Sequence, residues 1–186
     1  EWYIYSKSPS GIFHSQIQNI LLLLFTKVPN QAHFSLLVML HGHAIATLEA
    51  YLASTFIQNV TNSDNLIKKL IESDPEFSKM KFTLQDIFVK KDDLKFIIAK
   101  YLKNIIFHNL RKVKPMFKAV LDCDLGDIDW LFKAIETRHH CVHRAGLDKN
   151  GKQIDISIDS IKQLITNLSN LVAHIEKTPI ILEKCN

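Results

Sequence analysis

The sequence predicts an all-α protein, a bundle of four main helices joined by short accessory ones. Three observations carry that expectation. Apolar residues recur at spacings of three and four over long stretches. Only 5 Gly and 5 Pro in 186 residues leave too few turn formers for a sandwich or barrel. A hydrophobic content of 47% with 23% charged residues is ordinary for a soluble globular chain of a size that buries a substantial core. The expected organisation is an N-terminal arm and short helix over 1–30, a helical domain over 31–178 and a tail over 179–186.

Along the chain, Glu1 to Ser10 reads as extended: the end of a preceding domain or a strand-like arm. Gly11 to Lys27 predicts a short helix carrying Ile12, Ile17, Ile20, Leu21 and Leu24, closed by the break at Pro29-Asn30. Gln31 to Val60 predicts the first long helix, with Leu36, Leu37, Leu40, Ala44, Leu48, Tyr51, Leu52 and Phe56 on its core face. Ser63 or Asp64 caps the next helix, which ends before Pro75. Phe82 to Phe88 is a short segment. Asp92 to Leu110 predicts the second long helix, on the spacing of Leu94, Ile97, Ile98, Tyr101, Leu102, Ile105 and Ile106. Lys114-Pro115 opens a short helix through Val120, and Asp122 to Gly126 is a turn. Asp127 then caps a helix running to Val142. Arg144 to Asp155 is a polar loop with a tight turn at Lys149-Asn150-Gly151-Lys152. Ser157 caps the last helix, whose stripe is Ile158, Ile161, Leu164, Ile165, Leu168, Leu171, Val172 and Ile175.

The formal charge is +4, with a pI near 8.9, compatible with RNA but not diagnostic of it. The lysines between Lys79 and Lys118 have the ordinary pattern of a solvated helix face. Three cysteines without motif spacing fit a reducing cytoplasm, and the expected location is cytoplasmic. No signal peptide is visible, and the apolar run Ile20 to Phe25 is too short to span a bilayer. The chain begins at Glu1 rather than Met, so it reads as a piece of something longer, with an additional domain or a regulatory protein among its expected partners.

The residues that carry chemistry are Arg138-His139-His140-Cys141-Val142-His143, followed by Arg144-Ala145-Gly146. On a helix from Asp127, residues Leu131, Ala134, Ile135 and Val142 form one apolar arc, and Arg138 lies inside it. His139 and His143, four apart, share one edge of that arc. A guanidinium stays charged in a protein, so burying it demands an acidic side chain, a substrate phosphate or a second chain. Glu49 in the first long helix is a candidate internal partner, or else an exposed residue beyond the main stripe. Arg144 either touches a flanking phosphate or caps its helix's last carbonyls.

At these residues the chain resembles the HEPN superfamily, a group of all-helical domains common in prokaryotes. The signature is an arginine, four to six residues, then a histidine, often with a polar residue after the arginine. Here the gap is four residues and the polar residue is His139. Val142-His143-Arg144-Ala145-Gly146 is similar to the Val-His-Arg-Asn-Gly of bacterial members, with Ala145 in place of Asn. Leu48-Glu49-Ala50-Tyr51-Leu52 is similar to the family's long N-terminal helix. The resemblance covers roughly Ala32 to Lys177.

The resemblance implies a single HEPN-like bundle acting as a metal-independent endoribonuclease, without cofactor, in a bacterial defence or toxin setting. It implies a homodimer with two motif faces opposed across a cleft. Arg138, His143 and His139 become the catalytic residues; Arg144 and His140 become substrate contacts. The alternative it leaves open is a non-catalytic dimerisation or nucleotide-binding module that regulates an attached domain.

The chemistry agrees with those residue types. RNA carries its own nucleophile, the 2′-OH. Cleavage needs a base, an acid and positive charge on the phosphorane, which imidazole and guanidinium supply. One motif holds one well-placed histidine, so a second chain is expected on chemical grounds too. The competing use of His139 and His143 is zinc. Cys141 and His140 point elsewhere on the helix, His41 and His43 are two apart, and no closed four-ligand set forms, so no metal site is expected.

Overall fold

A computed structural model describes residues 8–79 and 94–182. Among these the protein is all-α, with nine helices and no strand. They are α1 (Pro9–Leu24), α2 (Asn30–Thr61), α3 (Asp64–Ser73), α4 (Pro75–Ser78), α5 (Leu94–Lys103), α6 (Leu110–Leu121), α7 (Asp129–Arg144), α8 (Ile158–Glu176) and α9 (Pro179–Leu182). The chain divides into two compact units. The first comprises 1–51 with 126–174, and the second 52–125 with 175–186.

In the first unit, α1 starts earlier than the sequence suggested. Ser8 is its N-cap, its hydroxyl accepting from Gly11 N, and Pro9 occupies the first turn, where a missing N–H is harmless. The arm reading therefore fails at Ser8 to Ser10; Glu1 to Lys7 lie outside the described residues. Phe13 is buried where Ile12 was expected, and its ring meets Tyr51 of α2 at 5.7 Å. The expected face of α2 is buried at Leu37, Leu40, Ala44, Leu48, Tyr51 and Leu52, while Leu36 is half-buried. By length and composition α2 could cross a membrane, but 56% of its most apolar window is buried inside the protein. The last long helix, α8, begins as expected: Ser157 Oγ accepts from Ser160 N, and Ser160 Oγ accepts from Ser157 N. Its stripe from Ile161 to Ile175 is buried, and Ile158 is half-buried.

In the second unit, Ser63 caps α3, and Asp74 caps α4 by accepting from Glu76 N. The expected long helix from Asp92 to Leu110 is not continuous. Its helical part ends at Lys103, and 104–109 is irregular. Ile106 is consequently exposed at 58%, while Phe107 turns inward against Phe56, ring to ring at 6.4 Å. Burying one large ring displaces the two β-branched residues that spacing alone had kept in the stripe. Helix α6 starts at Leu110, not at Lys114, with Pro115 in its interior. Buried Leu110, Val113, Met116 and Phe117 lie on one face of it, and that packing offsets the hydrogen bond the proline cannot make. The Phe82 to Phe88 segment lies outside the described residues. The lysines are less free than a bare solvated face: Lys95 pairs with Asp64 at 3.2 Å, and Lys118 with Asp122 at 3.0 Å.

Candidate functional site

Helix α7 carries the motif, and two contacts within the first unit hold it. His41, buried in α2, donates from Nε2 to the carbonyl of Ala134 at 3.0 Å. Burial lowers the His41 pKa, against the raising effect of that hydrogen bond, so the neutral ring is favoured. At the other end, Gly146 is pressed against α2. A Cβ there would lie 2.7 Å from Val38 and 2.8 Å from Phe34, and its φ of 85° is left-handed. The expected cap at Asp127 falls one residue early: the N-cap of α7 is Ile128, whose side chain caps nothing, while Asp127 Oδ1 accepts from Asp129 N at 3.0 Å.

The buried side of α7 is Leu131, Ala134 and Cys141, with Arg138 half-buried among them at 21% side-chain exposure. The sequence placed Val142 in this arc and Cys141 outside it; the structure reverses them. Val142 is 55% exposed and Cys141 is 6% exposed. The steps from Leu131 to Ala134, Arg138 and Cys141 are three, four and three residues, which is the inward seam of a straight helix. Val142 falls past its edge. Burial raises the Cys141 thiol to about 11, so it is a small apolar group rather than a nucleophile.

Arg138 has the inward position read from the sequence, and Glu49 proves to be its neighbour rather than an exposed residue. Arg138 Nε lies 3.9 Å from Glu49 Oε1, and each side chain is 21% exposed. The separation is too long for a hydrogen bond, and Arg138 Nε makes none. The pair therefore balances charge without saturating the guanidinium.

His139 and His143 come together as the helical spacing required. Both are exposed, with ring centroids 4.6 Å apart and planes inclined by 46°. The His139 pKa is lowered, first by desolvation, then by the charges of His143, Arg144, His140 and Arg138. The His140 ring meets that of His139 edge to face, with centroids 6.1 Å apart. Arg144 Nη1 donates to His140 Nδ1 at 3.2 Å. Arginine can only donate, so His140 Nδ1 is the acceptor in this contact. Arg144 therefore serves the ring of His140, a use neither sequence reading named. Among the described residues no hydrogen bond or ion pair joins Arg138 to His143, which share α7.

The loop after α7 is a short hairpin with a bridge between Leu147 and Gln153. Asp148 organises it, Oδ1 accepting from Asn150 N at 2.8 Å and Lys152 N at 2.9 Å, which lowers its pKa. Gly151 at φ 76° completes the turn expected at 149–152. Ala145 is the C-cap of α7, left-handed at φ 50°. Alanine rarely adopts that conformation, so this position carries local backbone strain.

The sequence did not single out His41 as an anchor, nor the buried Asp74 of the second unit. Tyr101 Oη donates to Asp74, Lys112 Nζ donates to Tyr101 Oη at 2.9 Å, and a cleft of about 470 Å³ lies beside Asp74 and Lys112. The Asp-Pro pair at 74–75 signals a cap, but nothing local announces its tyrosine and lysine partners. Among the described residues no group of three or more His, Cys, Asp or Glu is placed to hold a metal ion.

The chain matches no family model, no curated protein and no solved structure.

Proposed function

We propose that this protein is a metal-independent endoribonuclease whose site is the outward edge of α7, completed by a second copy of the chain. The observation that carries the reading is one short helix segment. A half-buried arginine there stands beside two adjacent exposed imidazoles, one of them held toward its neutral form. Two neighbouring imidazoles beside a guanidinium are the equipment for cleaving RNA at its own 2′-OH.

In the proposed reaction a neutral imidazole takes the proton of the 2′-OH, and the 2′-oxygen attacks phosphorus. The bond from phosphorus to the 5′-oxygen breaks, and a protonated imidazole supplies the proton to that leaving oxygen. His143 is the acid–base residue. Arg138 holds the phosphate, and its half-buried position fixes the guanidinium before substrate arrives. His139 supports His143, and Arg144 and His140 lie where a flanking phosphate or base would pass. A second copy doubles this set, so that acid and base need not come from one helix. The resemblance to HEPN proteins adds a defence or toxin setting in the cytoplasm as the proposed context.

One observation favours a second reading. Glu49 already balances Arg138, and an internally neutralised arginine suits a non-catalytic dimerisation or nucleotide-binding module. Incubation of the protein with total RNA in chelator, beside His143→Ala, separates the two. Degradation by the wild type alone supports the nuclease. Equal inertness of both supports the module, and degradation that needs a divalent metal contradicts both.

A further inference from the structure

The geometry points to a transition-metal site on α7, formed by His139 and His143, that takes a cis-coordinating ion such as Cu(II) or Ni(II). A metal–nitrogen bond of about 2.0–2.1 Å and an imidazole radius of about 1.1 Å put each ring centroid about 3.2 Å from a shared ion. With each exposed ring turned so that one nitrogen faces that ion, the observed centroid separation of 4.6 Å subtends about 92° there. This is the cis angle of square-planar and octahedral coordination, the preference of Cu(II) and Ni(II), and is narrower than the tetrahedral angle zinc adopts in closed sites. Both rings are exposed, and the spacing of four on a rigid helix preserves their separation.

The surroundings set the character of the site. No third His, Cys, Asp or Glu joins the pair among the described residues, so the remaining positions stay with water or exchangeable ligands. Cys141 is buried, and His140 Nδ1 is taken by Arg144. The charges of Arg138 and Arg144 act on His139 and oppose any cation there. Only an ion with strong imidazole affinity overcomes them, which orders binding as Cu(II) above Ni(II) and Zn(II), with Mg(II) and Ca(II) excluded. Binding itself stands on geometry alone. Its consequence, inhibition, rests on the proposed nuclease reading, because the ion would occupy the imidazoles that move protons.

The test is a titration of the full chain with Cu(II), followed by calorimetry and by nitrogen hyperfine structure in electron paramagnetic resonance. It is read as the difference between wild type and the variant carrying both His139→Ala and His143→Ala, so copper held elsewhere cancels. The expected result is one His-dependent copper with two imidazole nitrogens, and binding about tenfold or more weaker in either single variant. His14→Ala, on exposed α1 surface, should leave it unchanged. Identical copper binding by wild type and the double variant would overturn the site. RNA cleavage measured in parallel separates the two claims. Copper binding without any nuclease activity leaves the site standing and removes the nuclease, and nuclease activity without His-dependent copper does the reverse.

Discussion

Arg138 shows how a single side chain can be legible and ambiguous at once. Its place on the inward seam of α7 followed from spacing, yet the acidic neighbour in α2 is far away in sequence and was open between two readings. With both side chains about four-fifths buried, removing the arginine leaves a carboxylate in a poorly solvated place. Arg138→Ala is therefore expected to lower stability by about 1–3 kcal/mol in denaturant titrations, with the double variant Arg138→Ala, Glu49→Ala costing less than the sum of its singles. Arg138→Lys keeps the charge but not the planar fork, and should retain the fold while losing most cleavage. His139 makes a pH prediction. Its lowered pKa keeps the imidazole that supports His143 neutral above that value, so cleavage should fall as pH drops through a midpoint below 6.5. In Arg144→Ala one of the depressing charges is gone, and the midpoint should move upward.

At the scale of elements, the caps and stripes were the most readable features. Ser8 and Asp127 apart, the caps at Ser63 and Ser157 and the stripe of α8 are where polar side chains and period predicted them. The failures have a common cause. The continuous helix through Ile105 and Ile106, and the inward Val142, were read from spacing alone, and each gave way to a better-buried neighbour, Phe107 or Cys141. Periodicity ranks faces; tertiary packing chooses among residues near an edge. The end of α7 yields a paired prediction. Ala145→Gly relieves a left-handed alanine and should stabilise by about 1 kcal/mol. Gly146→Ala drives a methyl into Phe34 and Val38 and should destabilise by at least about 2 kcal/mol. Both are read from thermal or denaturant midpoints.

For the molecule as a whole, the all-α class was legible because long periodic stretches and few turn formers leave little else. The buried anchor His41 was not, because its acceptor, Ala134, lies 93 residues away and no local pattern names it. That anchor ties global stability to pH. Its folded pKa lies below the ordinary 6.5, so the unfolded chain takes up the proton first as pH falls. Stability is full above about 6.5 and is lost as pH drops through the lower folded-state value. In His41→Gln, where an amide donor can serve Ala134 without titrating, that part of the acid dependence should flatten. The central claim concerns bond chemistry, and the ends of the cut RNA report on it most directly. Mass spectrometry of a defined oligoribonucleotide after incubation in excess chelator is expected to find 2′,3′-cyclic phosphate and 5′-hydroxyl ends, produced by wild type and absent with His143→Ala. A 5′-phosphate product, or the same cleavage by His143→Ala, would contradict it.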